Sequence, residues 1–341
     1  MMGRDYAAIV LGAGFVVMSS FVMAQAKAPL KLEHEVTLPG YTGDFDHFAV
    51  DRQRHRLLLA AEDHATLEVF DLKSGKHLRT VTGFDAPHSI LVRNGSPVIL
   101  VTDSGKTMTK ILNADTYKKE GSIPLTESAD SAAYDAAANV YYIVTGGKDI
   151  GMKTAEVEAV NPDTGKKLGE VKFNDNHVEA LAIEKGGSRL FVNLTQTNKL
   201  AVVNRKTLKE IAEWPVTPAK QNAMIALDEA RHRIFLVCRD PGMVVVMNSD
   251  TGAVTNFLPA PLRADDVLYD AASNRLYVPG GQGYIGVYDT TSPDHLKEIA
   301  KVPSAPGAKT GILLPRMKEI VLAASPGDTK ETAKVLTYSI P

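Results

Sequence analysis

Histidine and carboxylate residues recur in this chain of 341 residues at a nearly constant spacing. His88 lies 42 residues after Asp46, and Asp130 lies 42 residues after His88. Glu179 and Asp265 continue the series. Imidazole nitrogens and carboxylate oxygens are ligands that zinc, manganese and iron accept. Crowded charges also push the pKa values of neighbouring acids and bases apart. If the fold brings these residues together, they predict either a binding site or an acid–base pair.

The segment Asp46–Val81 shows which elements must position them, because four short apolar runs alternate there with polar turns. The predicted strands are Phe48–Val50, Arg56–Ala61, Leu67–Asp71 and Leu78–Val81. Runs of this length and composition indicate strands rather than helices. Gly75 lies where the last hairpin requires a positive φ.

Degraded copies of this unit follow to the end of the chain. The second strand recurs as Val98–Thr102, Val140–Thr145, Leu190–Leu194, Ile234–Val237, Leu276–Val278 and Ile320–Leu322. Alignment of the first strands puts Asp46, His88, Asp130, Glu179, Ala223, Asp265 and Thr310 in one column. In the fifth copy Asn222 competes with Ala223 for that column, and in the seventh Lys309 competes with Thr310. Seven copies near the period of about 40–45 residues predict an all-β, seven-bladed β-propeller.

The seventh copy ends at Pro341 after its third strand. The surplus segment Leu32–Leu38 precedes the first copy and has the composition of a fourth strand. We therefore expect this N-terminal strand to complete the last blade and close the ring. The prediction is a single propeller domain over residues 27–341.

Residues 1–26 have the pattern of a secretory signal peptide. Arg4 precedes the apolar run Ala7–Met23, and Ala24-Gln-Ala26 offers small residues for cleavage. Cleavage after Ala26 or after Ala24 fits, and an uncleaved membrane anchor is the alternative. We expect a periplasmic or secreted protein with no later transmembrane segment.

Composition limits the partners. The net charge is -2 and the aromatic content 6%, so attraction to nucleic acid is disfavoured. Cys238 is the single cysteine and cannot form an internal disulfide. It is expected to be a small core residue, which suits an oxidising compartment. We expect a monomer.

Several segments resemble a known family of repeats. They are GFDAPHSILV at 83–92, VVVMNSDTGAV at 244–254 and RLYVPGG at 275–281. The chain resembles the YVTN-type, YncE-like secreted bacterial β-propellers. It departs from their pattern because no copy has the full Tyr-Val-Thr-Asn string, and only Pro87-His88 keeps the Pro-His pair. The resemblance implies the fold and leaves the activity open.

In a propeller the first strands line the channel, and their starts open at one face. The predicted ligand-binding residues at this mouth are Asp46, His47, His88, Asp130, Glu179, Asn222, Asp265 and Asp266. The metal candidates are His47, His88 and Glu179. Adjoining loops should add His177, Arg263, Lys309, His64, Asp103 and Arg239. The alternatives are a polar lining without a ligand, a metal or ligand site, and catalysis.

The remaining motifs give weaker evidence of function. Gly281-Gln-Gly-Tyr-Ile-Gly286 matches a dinucleotide pattern, but a strand rather than a helix follows it, so no nicotinamide cofactor is expected. Asp163-Thr-Gly-Lys166 resembles a motif of quinone-dependent propellers but lacks their following Trp, so no quinone is expected. The long loop Gly146–Lys153 either forms a lip of the channel or is a tolerated insertion.

The first functional hypothesis is therefore an exported binding protein that presents the channel mouth to a small ligand, a metal or a protein partner. The cofactor is left open, with a divalent metal as the one candidate. The alternative is a lactonase-like or metal-dependent hydrolase or lyase at the same mouth.

Overall fold

A computed structural model describes residues 28–105, 108–292, 295–327 and 331–341. Seven four-stranded antiparallel sheets make up this part of the chain. The first strands contact one another in six of the seven neighbouring pairs of sheets, including the first and the seventh. Between the second and third sheets, Thr102 Oγ1 donates to the Asp130 carbonyl. The result is the predicted all-β, seven-bladed β-propeller, with the strands of each blade running from the central channel outward.

The strands, numbered in chain order, have the following bounds. The strand β1 (Lys31–Leu38) precedes the first blade. Blade one contains β2 (Phe48–Asp51), β3 (Arg56–Ala61), β4 (Thr66–Asp71) and β5 (His77–Val81). Blade two contains β6 (Pro87–Val92), β7 (Val98–Asp103), β8 (Thr109–Asn113) and β9 (Lys119–Ile123). Blade three contains β10 (Ala132–Asp135), β11 (Val140–Gly146), β12 (Ala155–Asn161) and β13 (Lys166–Phe173).

Blade four contains β14 (Val178–Ile183), β15 (Arg189–Leu194), β16 (Lys199–Asn204) and β17 (Lys209–Pro215). Blade five contains β18 (Lys220–Asp228), β19 (Arg233–Asp240), β20 (Gly242–Asn248) and β21 (Val254–Pro259). Blade six contains β22 (Leu268–Asp270), β23 (Arg275–Gly280), β24 (Tyr284–Asp289) and β25 (Lys297–Pro303). Blade seven contains β26 (Ala308–Leu314), β27 (Glu319–Ala324) and β28 (Ala333–Ser339). Single 3-10 turns lie at Lys148–Ile150 and Glu229–Arg231.

The ring closes as expected, since β1 pairs antiparallel with β28 and becomes the outer strand of blade seven. Leu38 is buried in a core cluster together with Phe45, Phe48 and Val335. This cluster joins blade seven to blade one, so the closure is a packed interface as well as a row of hydrogen bonds. Apolar area removed from water is what holds such interfaces together.

Each outer strand contains one extra residue relative to its neighbour. The residues are Glu33, Leu78, Glu120, Leu168, Ile211, Thr255 and Ile299. Such a bulge increases the local twist and interrupts the ladder. An interrupted outer strand is a poor template for pairing with another chain, so the rim of the ring resists edge-to-edge association.

A second row of bulges lies at the start of the first strands. Ala60 exchanges backbone hydrogen bonds with both Asp46 (2.9 Å) and His47 (3.1 Å). Blades two, four, five and seven show the corresponding register shifts. In blade six three residues lie opposite two, between the pairs Ala264–Gly280 and Leu268–Tyr277. A bulge re-aims side chains, and here it turns them toward the channel mouth.

Three sequence features have plain structural outcomes. Cys238 is buried, and burial raises the pKa of its thiol to about 12, so it is a core residue. The Gly281–Gly286 pattern forms the hairpin between β23 and β24 rather than a helix start. The predicted signal peptide, residues 1–26, lies outside the described residues. Within the ranges that the structure covers, no helix has the length and apolarity to cross a bilayer.

Candidate functional site

A polar pocket of about 420 Å³ opens at the channel mouth, which we call the mouth pocket. Six of the eight predicted ligand residues line it, namely Asp46, His47, His88, Asp130, Glu179 and Asp265. Glu62, Ser104, His177 and Arg239 join them from loops and hairpins. The volume lies within the range of about 300–1,000 Å³ usual for small-molecule sites.

His88 is the centre of one wall of this pocket. Its Nδ1 contacts the Asp46 carboxylate directly and lies 3.5 Å from Asp130 Oδ1. Its Nε2 lies 2.9 Å from Ser104 Oγ and 3.9 Å from Glu62 Oε1. The imidazole, itself 7% exposed, thus faces three carboxylates and one hydroxyl.

These contacts fix the charge of the Asp46–His88 pair. Burial opposes the imidazolium, but Asp130, Asp46 and Glu62 outweigh it and raise the pKa of His88 well above its usual value. Burial likewise opposes the Asp46 carboxylate, yet His47 and His88 outweigh it and lower the pKa of Asp46 to about 2. The pair is therefore an ion pair at neutral pH.

The two other carboxyl groups of this wall, those of Glu62 and Asp130, have raised pKa values. Burial raises the pKa of Glu62 to about 7, only partly offset by His88. Burial and the charges of Asp46 and Glu179 raise the pKa of Asp130 to about 6, although His88 pulls it down. The imidazolium groups of His88 and of His47, whose Nε2 lies 3.4 Å from Asp46 Oδ1, supply two positive charges against three carboxylates. A positive centre placed beside them would therefore be stabilised.

Arg239 organises the opposite wall. Its guanidinium lies 3.2 Å from Glu179 Oε1 and contacts Asp265 directly. Lys309 continues the network, with its Nζ 3.0 Å from Asp265 Oδ2 and 2.8 Å from Asp44 Oδ2. His177 and Arg239 lower the pKa of Glu179 against the cost of its burial. Acids and bases balance on this wall, unlike the His88 wall.

The long loop of blade three forms a lip of the pocket, which is the first of the two alternatives considered for it. Gly146, Lys148, Asp149 and Ile150 line the pocket. His177 Nε2 lies 3.1 Å from Lys148 Nζ and 2.8 Å from Glu179 Oε1. The loop thus brings a lysine over the rigid ring of first strands.

Asp266 lies deeper in the channel, in a second cavity of about 330 Å³ that it shares with His47. Its Oδ2 accepts the backbone N–H of Gly311 at 2.8 Å. Burial raises the pKa of Asp266 to about 7, whereas Asp46, Asp266 and Asp130 overcome the burial of His47 and raise its pKa to about 9. His47 is therefore the cation between the mouth pocket and the lower channel.

The structure places four predicted site residues elsewhere. Asn222 is completely buried and donates its amide to Asn193 Oδ1 and to the carbonyl of Lys199, each at 2.9 Å. The first strand of blade five therefore presents Met224 to the pocket instead. His64 stacks on Tyr41 with ring centroids 4.2 Å apart. Asp103 is buried against Lys110. Arg263 lies against Gly281 and accepts its N–H.

The residues that could hold a metal differ from the predicted set. Ligand atoms of Asp46, Glu62 and His88 all lie within 4.8 Å of one another, and no other such group of three is found among the described residues. His47 and Glu179 therefore do not converge with His88 in this way. Two carboxylates and one imidazole would suit zinc or manganese.

Glu62 and Ser104 are the site residues that the sequence interpretation missed. Glu62 follows the last residue of β3, and Ser104 follows the last residue of β7. They occupy corresponding places in neighbouring blades. The first residue after each second strand is therefore the signal that could have identified them.

No model of a known protein family matches the chain, and no curated protein matches it. Solved structures do match. One chain of "Crystal Structure of Mitotic Checkpoint Complex" gives a TM-score of 0.74 at 12% identity, and the match covers 99% of each chain. As many as 1705 solved chains resemble this one, so the likeness is to a widespread architecture. The comparisons therefore show a β-propeller fold and no particular family.

Proposed function

We propose that this protein is a binding propeller whose mouth pocket takes a small polar ligand with a positive centre, either a divalent cation or an organic amine. The observation that carries the proposal is the convergence of Asp46, Glu62 and Asp130 around the single imidazole of His88. These three carboxylates outnumber the two imidazolium groups beside them, His88 and His47, and this leaves an excess of negative charge in a pocket of ligand size.

The two kinds of positive centre would use the wall differently. A divalent cation would be held by Asp46, Glu62 and His88, whose ligand atoms already lie within 4.8 Å of one another. An ammonium group would instead donate hydrogen bonds to the carboxylates of Glu62 and Asp130, which are the two with raised pKa. Charge-assisted hydrogen bonds of this kind are about twice as strong as neutral ones.

Calorimetric titration tests the proposal with Zn²⁺ and putrescine as separate probes. We expect one of them to bind with 1:1 stoichiometry and Glu62→Gln to weaken it by about tenfold or more, as loss of a charged contact would. Glu127→Gln is the matched control, because Glu127 is exposed on the loop leading into blade three and lies outside the pocket lining. Absence of binding by both probes, or equal effects of the two variants, contradicts the proposal.

We also propose that the protein is exported and belongs to the YVTN-type, YncE-like propellers. Support for export comes from the basic, apolar and small-residue order of residues 1–26. Support for the family comes from the Pro87-His88 pair and the repeat segments given above. N-terminal sequencing of protein recovered from the periplasm should begin at Lys27 or Gln25, and a start at Met1 would contradict export by cleavage.

A further inference from the structure

Three residues of the mouth pocket stand in the order of a nucleophilic relay. The Asp46 carboxylate contacts Nδ1 of His88, and Nε2 of the same ring lies 2.9 Å from Ser104 Oγ. A hydroxyl, an imidazole and a buried carboxylate linked through the two ring nitrogens constitute the geometry that activates serine in acyl-transfer enzymes. Ser104 is part of the pocket lining, so its hydroxyl faces the space a substrate would occupy.

The backbone around this relay is fixed by Asp103. Its carboxylate accepts the N–H groups of Asp85 (3.0 Å) and Ala86 (2.8 Å), which lead into the strand of His88. It also accepts the N–H of Gly105 at 3.3 Å, and the N–H of Ser104 donates to the carbonyl of Ala86 at 2.9 Å. Lys110 neutralises Asp103 at 2.5 Å. The loops that carry base and nucleophile are therefore held by one buried carboxylate, which makes Asp103 a positioning residue.

We propose that Ser104, His88 and Asp46 form a catalytic triad that hydrolyses small carboxylic esters in the mouth pocket, an activity beyond cation or amine binding. The step uses the form of His88 that has lost its imidazolium proton, which is populated above neutral pH. In that form Ser104 Oγ bonds to the ester carbonyl carbon, and its proton passes to His88 Nε2. Collapse of the tetrahedral adduct breaks the bond to the alkoxide, which leaves as the alcohol with that proton. A water molecule then attacks the acyl-serine and gives one proton to His88. Breakdown of this second adduct releases the carboxylic acid, and His88 returns the proton to Ser104 Oγ.

Two charged groups of the pocket, Asp46 and Lys148, bear on this step. Asp46 supports the imidazolium that forms during attack, as a triad carboxylate does. Lys148 lines the same pocket, and within the described part of the chain no carboxylate lies within 4.0 Å of its Nζ. Its ammonium group is thus a cation of the same pocket.

A fluorophosphonate probe tests the triad, because it forms a covalent adduct only with an activated serine. The full-length chain is incubated with the probe between pH 7 and pH 10, a range that includes conditions in which an imidazole can accept a proton. We expect one adduct, mapped by peptide mass spectrometry to Ser104, together with hydrolysis of p-nitrophenyl acetate. Ser104→Ala should abolish both, and His88→Asn should slow labelling by about 10²–10⁴-fold.

The control is Ser74→Ala. Ser74 is exposed in the β4–β5 turn and bonds a carboxylate, Asp71, at 2.8 Å without any imidazole, so this variant should label and hydrolyse like the parent protein. Absence of an adduct across the whole pH range, an adduct on another residue, or ester hydrolysis that survives Ser104→Ala would overturn the proposal. The outcome is separable from the titrations above, because parent protein that labels but binds neither probe keeps the triad and loses the binding role.

Discussion

At the scale of single residues, four groups of the mouth pocket and of the cavity below it hold their protons more tightly than they do in the unfolded chain. The pKa is raised to about 7 for Glu62, about 6 for Asp130, about 7 for Asp266 and about 9 for His47. Burial raises the three carboxyl values, whereas surrounding carboxylates raise that of His47 against its burial. All four groups therefore bind more protons in the folded state near neutral pH.

This excess of bound protons gives stability a definite pH dependence. A group whose folded pKa is raised favours folding most below its unfolded pKa, and that contribution is lost as pH rises through the folded value. For these groups the window runs from about pH 4 to about pH 9. We expect the melting temperature to fall by at least about 3 °C between pH 6 and pH 8.5, measured by circular dichroism.

Asp266→Asn should flatten this dependence. The amide keeps an acceptor for the N–H of Gly311 but removes a buried ionisable group beside His47. The slope between pH 6 and pH 8.5 should therefore be smaller than in the parent, whereas Asp240→Asn should leave it unchanged, because Asp240 is exposed and lies outside the pocket lining. A melting temperature that rises with pH in the parent protein would contradict the account of the site's charges.

The sequence predicted much of the site at this scale because the blade period places equivalent residues at one face. Asp46, His88, Asp130, Glu179 and Asp265 all reach the mouth pocket. Glu62 and Ser104 were missed since they come from the hairpins, where alignment of first strands gives no information. Asn222 was included although its amide satisfies buried partners between blades.

At the scale of elements, the bulges decide which residue of each first strand faces the channel. Strand positions were predicted well because apolar alternation and turn residues mark them. The bulges were not, since an extra residue has no composition of its own and shifts the alternation by one. In blade seven the bulge directs Lys309 to the mouth. Thr310, assigned to the column, is buried and donates to the Phe45 carbonyl.

The strand β1 offers a direct test of ring closure. Leu38 is 3% exposed in the cluster between blades seven and one, whereas Leu32 of the same strand is 46% exposed. We expect Leu38→Ala to lower the free energy of unfolding by about 2–4 kcal/mol, the usual cost of a core truncation. Leu32→Ala should change it by no more than about 0.5 kcal/mol. Equal effects in urea denaturation would mean that β1 does not close the ring.

At the scale of the whole molecule, a nearly symmetric ring carries an asymmetric site. Blades one to three supply the His88 wall with its unbalanced carboxylates, and blades four to seven supply the balanced Arg239 wall. The likeness to other propellers at 12% identity accounts for the ring and not for these residues. The candidate site therefore depends on the few positions where the blades differ.

The most direct test is crystallographic. Crystals are soaked in Zn²⁺ and examined in an anomalous difference map, and parallel crystals are soaked in putrescine and examined in an ordinary difference map for the amine alternative. We expect ligand density in the mouth pocket on the His88 wall. For the metal it should lie about 2.0–2.2 Å from oxygens of Asp46 and Glu62 and from a nitrogen of His88. Density only at other places, or an unchanged mouth pocket in both soaks, would contradict the claim that this pocket binds a positive centre.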